Sequence, residues 1–381
     1  MNTLYFFAPL IQIIQSSVAP YLQIMLRNSG YSHTIVGTIM GVGLLLSVAG
    51  PLILSSISQK SGRPRLVIIL TAAAIVIFFA PVLYPVSTVV TIICYSLGFV
   101  CLCSINPLQD SYINSIIPDP SYYGRIRACG TIAYVAVLFI SAFLAFPNQE
   151  SNTSIFINMA VKVAVFVVFC LVFLKADGAE TASSSNEKVS IFSLGSVFYL
   201  FIFLFALTRI AHGVVEKLLA SYMTETMGLG TSFTFYIALG ALFEALIMVV
   251  LGKKTGRGPS VCLNMTILSS AFVTVRLLIY YFFPNSIFMF SAAQALHGLT
   301  YGMAHISATA YIANLLGKKN FTIGMGVYQA LGYNLPEMIA VTVGGVVIDN
   351  FGYPVLFVSY SVLPVIAVLL MIAFRKKLLS F

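Results

Sequence analysis

The chain has 381 residues, of which 59% are hydrophobic and only 8% charged, and its mean hydropathy is +0.99. Soluble proteins carry about a quarter charged residues, so this composition sets aside a soluble enzyme and describes an all-α polytopic membrane protein. The net charge of +9 would suit a nucleic-acid binder, but its distribution along the chain follows topology and no nucleic-acid partner is expected.

Apolar segments of roughly 20 residues, the length that crosses a hydrocarbon core about 30 Å thick, are expected near 4–26, 34–57, 66–84, 87–114, 125–146 and 154–174. Six more come near 194–223, 233–251, 260–282, 286–315, 321–348 and 354–374. Between them runs the polar stretch from Lys175 to Lys188, which has too little apolar surface to pack or to enter lipid. The expectation is twelve transmembrane helices in two pseudo-symmetric six-helix bundles, residues 1–174 and 193–381, with a cytoplasmic linker at 175–192. The first segment is longer than a signal-peptide core and has no basic region before it, so it is expected to stay as a span. Pro9, Pro20, Pro51, Pro107, Pro336 and Pro364 fall inside spans, where a missing amide donor kinks a helix.

Basic residues gather at every second connection: Lys60, Arg63 and Arg65; Arg125 and Arg127; Lys175 and Lys188; Lys253, Lys254 and Arg257; Lys318 and Lys319; Arg375, Lys376 and Lys377. The alternate connections hold only Arg27. This asymmetry places both termini in the cytoplasm, in what we expect to be a bacterial inner membrane. The six cysteines lie in apolar spans without ligand spacing, so neither a disulfide framework nor a metal site is expected.

An internal repeat links the halves. Lys60-Ser-Gly-Arg63 after the second span answers Lys254-Thr-Gly-Arg257 after the eighth, as duplication of a six-span unit produces. The first of these resembles the cytoplasmic signature of the major facilitator superfamily through Lys60, Gly62 and Arg63, with Ser55 and Gln59 standing where that family has Gly and Asp. Asn106-Pro-Leu-Gln-Asp110 and Tyr123-Gly-Arg-Ile-Arg-Ala-Cys-Gly130 resemble its phenylpropionate permease and lactose permease branch of proton symporters. That resemblance implies an MFS fold and places a substrate site at Arg127, with the ring of Tyr134 two turns later, beside Asp110 at the end of the fourth span.

An ionisable side chain at membrane depth costs at least about 2.5 to 3.5 kcal/mol on insertion scales, so each needs a partner, a wet cavity or a function. Arg209, His212 and Glu216 are spaced three and four apart and share one face of the seventh span; Glu216 and Lys217 alternatively snorkel to the interface. Arg209 and His212 are read as substrate-binding. Glu244, Arg276 and His297 sit one per helix near mid-span in the eighth to tenth spans, where mutual pairing relieves burial, and Glu244 and Arg276 are expected to be coupled across the eighth and ninth spans with His297 adjoining. These three resemble the lactose-permease coupling network, which implies substrate contact for Glu244 and proton coupling for Glu244, Arg276 and His297. In that family a glutamate comes three residues after the histidine; here the position is Thr300. A threonine does not titrate, so Glu244, Glu337 or Asp110 carries the proton, or the protein is not proton-coupled. His305 is read as a core histidine. Gln329, Asn334 and Glu337 in the eleventh span are read as cavity-lining, the first two as substrate-binding and Glu337 as proton-coupling, with Pro336 opening the backbone.

No phosphate loop, metal-ligand spacing or nucleophilic triad is present, so neither an enzyme nor a nucleotide-driven pump is expected, and no cofactor. The reading is a secondary transporter, working as a monomer by alternating access around a midplane cavity, for an aromatic acid, sugar or nucleoside carried with a proton. The alternative is a receptor or sensor built on a transporter fold.

Overall fold

The computed structural model describes residues 3–83, 87–116, 121–173 and 194–381. The expected linker, with Lys175 and Lys188, lies outside the described residues, as do the side chains of Gln59, Arg125, Lys318 and Lys319. Among the described residues every regular element is helical. The chain divides into two compact units, residues 1–185 with 228–238 and residues 186–227 with 239–381.

In the first unit α1 (Leu4–Val18) continues through a 3-10 turn (Ala19–Tyr21) into α2 (Leu22–Asn28). Then come α3 (His33–Leu46), α4 (Gly50–Ser61), α5 (Pro64–Phe79), α6 (Thr88–Ile116), α7 (Ser121–Leu144) and α8 (Asn152–Phe173). Two of the prolines coincide with breaks, whereas Pro9, Pro107 and Pro364 lie inside continuous helices. Pro20 sits in the 3-10 turn that interrupts the first span, and Pro51 opens α4 after a break that bends α3 against α4 by 41°. The Ser32 side chain accepts the Ile35 amide at 3.3 Å and so caps α3. Phe7 of α1 meets Tyr112 of α6 edge-on at 5.4 Å and stacks on Phe166 of α8 at 5.8 Å, joining three helices in one aromatic contact.

The second unit holds α9 (Ser196–Lys217), α10 (Leu219–Ser221), a π-helical turn (Tyr222–Thr226) and α11 (Phe233–Gly252), whose first residues group with the first unit. It continues through α12 (Pro259–Phe282), α13 (Ile287–Ala295), a π turn (Gly298–Gly302), α14 (Met303–Val327), a third π turn (Tyr328–Asn334), α15 (Leu335–Ala373) and α16 (Arg375–Leu378). Two expected connections are single-residue bends, at Gly317 (φ 63°) and Gly352 (φ 77°), a left-handed backbone that glycine adopts without strain. The core gathers Phe201, Phe205, Tyr311, Tyr328 and Tyr333, with Phe201 stacked on Tyr311 at 4.2 Å.

Among the described residues eight helices are long and apolar enough to cross a membrane, nine when the bent α3–α4 pair is counted. The difference from twelve has a structural origin: the 51-residue stretch Ile323–Ala373 contains two of the expected spans, while turns interrupt the first and the tenth. Large apolar side chains face outward, Phe143 at 90% exposure and Phe288 at 80%, as a lipid-facing surface requires.

Candidate functional site

The first unit assembles a polar set from three helices. In α1, Gln12 Nε2 donates to Asn106 Oδ1 of α6 at 3.0 Å. One turn after Asn106, Asp110 lies 3.4 Å from Nη1 of Arg127 on α7, the two side chains 29% and 36% exposed. Gly130 of α7 leaves room for Gln12, since a Cβ there would lie 2.9 Å from Gln12 Cγ. Tyr134, seven residues after Arg127 and so on the same face of α7, is half-buried. Gln12 was not singled out from the sequence; its signal was an uncharged polar residue in an apolar span.

The second unit holds a larger set in two parts. Arg209 on α9 is 1% exposed and grips four groups. Its Nη1 donates to His212 Nδ1 at 2.9 Å, its Nη2 reaches Glu216 Oε2 at 2.9 Å and Glu337 Oε1 of α15, and its guanidinium lies 4.1 Å from the centre of the Tyr333 ring. Lys217 closes the square, 3.0 Å from Glu216 and 3.3 Å from Glu337. Gly213 makes the close packing possible: a Cβ there would meet Glu337 Cα at 3.3 Å. Arg209 and His212 are thus enclosed among side chains, and Glu216 and Lys217 belong to an ion cluster.

The second part centres on Arg276 of α12. It donates from Nε to the Tyr280 hydroxyl (3.0 Å), from Nη1 to His297 Nδ1 (3.0 Å) and from Nη2 to Gln294 Oε1 (3.0 Å). On its far side, His297 Nε2 lies 3.5 Å from Glu244 Oε2 of α11. Glu244 and Arg276 are thus joined through His297, whose imidazole stands between them. The π turn at Gly298–Gly302 explains the geometry. Gly298 and Gly302 face the α11 backbone, and a Cβ at Gly302 would sit 3.1 Å from the Glu244 carbonyl oxygen, so α11 approaches closely and sets Glu244 against His297. The wide turn also aligns rings four residues apart: His297 stacks on Tyr301 at 5.4 Å and 7°, and Tyr301 on His305 at 6.2 Å and 4°.

Gln329 lies inside the π turn at Tyr328–Asn334 and Glu337 follows it on α15, and the two side chains have different surroundings. Gln329 is exposed and donates to Asn334 Oδ1 at 3.1 Å, whereas Glu337 is buried against Arg209. His305 Nδ1 lies 3.3 Å from the Tyr333 hydroxyl, within hydrogen-bond distance.

Three cations (Arg209, Lys217, Arg276) and three carboxylates (Glu216, Glu337, Glu244) thus share the interior of the second unit, and their formal charges cancel. Glu216 and Glu337 each touch an arginine and a lysine; the partner of Glu244 is His297. Among the described residues no group of His, Cys, Asp and Glu is arranged to hold a metal.

A family model described as the MFS_1 like family matches residues 1–359. Among solved structures, the nucleoside transporter NupG is similar with a TM-score of 0.84 and 13% identity, covering 98% of either chain. A POT family transporter in complex with a thioalcohol conjugated peptide gives 0.78 at 12% identity, over 100% of this chain and 96% of that one. The xylose transporter XylE from E. coli, in a partially occluded inward open conformation, gives 0.69 at 12% identity over 98% and 97%. No curated protein matches in sequence.

Proposed function

Since the chain belongs to the MFS_1 like family and is a multi-pass membrane transporter rather than an enzyme, we propose that it carries a small organic solute by proton symport through alternating access. The solute class is an aromatic acid, sugar or nucleoside. The observation that carries the proton assignment is the setting of Glu244, a quarter exposed and held by an imidazole rather than by a cation. Of the three carboxylates left open by the sequence, Glu337 is tied to Arg209 and Lys217, and Asp110 faces Arg127. Glu244 is the proton acceptor in this reading, with His297 and Arg276 holding it.

Asp110, Arg127 and Tyr134 contact the solute in the first unit, and Glu244, Gln329 and Asn334 do so in the second. Arg209, His212 and Glu337, enclosed in this state, act by holding α9 to α15. The protein works as a monomer in a bacterial inner membrane, as two six-helix bundles, residues 1–174 and 193–381, joined on the cytoplasmic side by 175–192.

The test has two stages. A thermal-shift screen of the purified protein over small acids, sugars and nucleosides identifies the solute, because a ligand that binds the native state raises apparent stability. Uptake of that solute into liposomes is then measured with an imposed inward proton gradient, with and without a protonophore. Saturable accumulation that collapses with the protonophore is expected. Binding without uptake points instead to a receptor, and uptake indifferent to the gradient refutes proton coupling.

A further inference from the structure

Two arginine–histidine pairs in the second unit share one geometry. A guanidinium has donors and no acceptor, so Arg209 at 2.9 Å and Arg276 at 3.0 Å make Nδ1 the acceptor in His212 and His297 alike. In the neutral rings the proton is then on Nε2. In His297 it points at Glu244; in His212 it points at the Thr300 hydroxyl, 3.3 Å away. Thr300 is 1% exposed, and all its hydrogen-bonding capacity is used. It accepts from His212 Nε2 and from Arg276 Nη1 (3.4 Å), and it donates to the His297 carbonyl at 3.3 Å. This hydroxyl is the hydrogen-bonded link between the two charge clusters among the described residues. It sits in the π turn, an element that recurs at functional sites.

We infer that Thr300 is the junction through which a change of charge at Glu244 reaches the Arg209–Glu337 cluster. Placing one proton on Glu244 Oε2 takes away the lone pair that faces His297 Nε2–H, and no other proton moves. The imidazole shifts, Arg276 moves with it through Nδ1, and Arg276 and His212 share the Thr300 oxygen. His212 in turn faces Arg209 and Glu216 on its own helix, His297 and Tyr301 across from it, and Glu337 through Arg209. A protonation event beside α11 is thereby felt where α9 is held to α15. Thr300 is a positioning residue in this scheme and touches no solute. The inference deepens the proposed coupling and rests on it in taking Glu244 as the group that changes charge.

The test needs no solute. The full chain has four histidines, so nitrogen-15 histidine labelling in lipid nanodiscs gives a small set of imidazole resonances, assigned by single His→Gln variants. Glu244→Gln imitates the protonated carboxyl. In the parent protein it is expected to shift Nε2 of both His297 and His212. With Thr300→Val, or Thr300→Ala as a second variant without the hydroxyl, the His297 shift remains and the His212 shift is lost; Thr300→Ser restores it. A His212 response that persists without the hydroxyl means that coupling passes through the ring contact between His212 and His297, 5.5 Å apart, and overturns the assignment. Absence of any His212 response in the parent overturns it as well. Failure of proton-driven uptake refutes the proposed function but leaves these shifts in place, so the two failures are distinguishable.

Discussion

Replacing Arg209 by methionine removes the one side chain that Glu337, Glu216, His212 and Tyr333 have in common. Breaking a buried pair from one side costs about 3 to 5 kcal/mol, because the other charge is left behind. Glu337 retains Lys217, which softens the loss, but a desolvated cation–π contact adds about 2 kcal/mol, so we expect a total near the upper end, about 5 kcal/mol. Glu337→Met should cost less, about 3 kcal/mol, since Arg209 keeps Glu216. The double variant leaves Glu216 with Lys217 and no net charge, and apolar side chains of similar volume fill the gap, so most of the loss should be recovered. The assay is the apparent melting temperature of the four purified proteins at one fixed scan rate, because unfolding of a membrane protein in detergent is commonly irreversible. If the double variant falls by the sum of the singles, these residues do not form a closed charge unit and the reasoning fails.

Asp110→Asn and Arg127→Gln should each abolish solute binding in the thermal-shift assay; unchanged binding would move the site elsewhere. Gly302→Val should push α11 away from the π turn and cost about 1 to 3 kcal/mol as overpacking does, and a melting temperature equal to the parent would show that the contact is slack. Glu244→Gln should leave the melting temperature nearly unchanged while abolishing accumulation against a gradient, a split that a purely structural carboxylate would not produce. Reporter fusions after Lys188 and after Lys377 should both read as cytoplasmic, and a periplasmic signal from either would refute the proposed orientation.

Hydropathy alone made most of the spans legible, because a lipid-facing helix must be apolar over its whole length. Spacing along one helix also carried information: Arg209, His212 and Glu216 do lie on one face, and their mutual contacts result from it. Contacts across the chain were harder. Glu337 is 128 residues from Arg209, and which distant helix meets which is not written in the spacing along either one. That His297 adjoins Glu244 and Arg276 was readable from helix order, but its place between them was not, because the distance between helices is not written in the sequence. Gly298 and Gly302, spaced four apart, were the available sign of that close packing.

The cancellation of charge inside the second unit bears on how the membrane potential acts. Moving one elementary charge through the full field is worth about 2.3 kcal/mol per 100 mV. A cluster of three cations and three carboxylates that moves as one body carries no net charge through that field. Under the proposed coupling, movement of the unloaded cluster is then voltage-indifferent, whereas a protonated Glu244 gives that cluster one positive charge. In an electrophysiological trace, the voltage-sensitive step would be the one taken with the proton aboard.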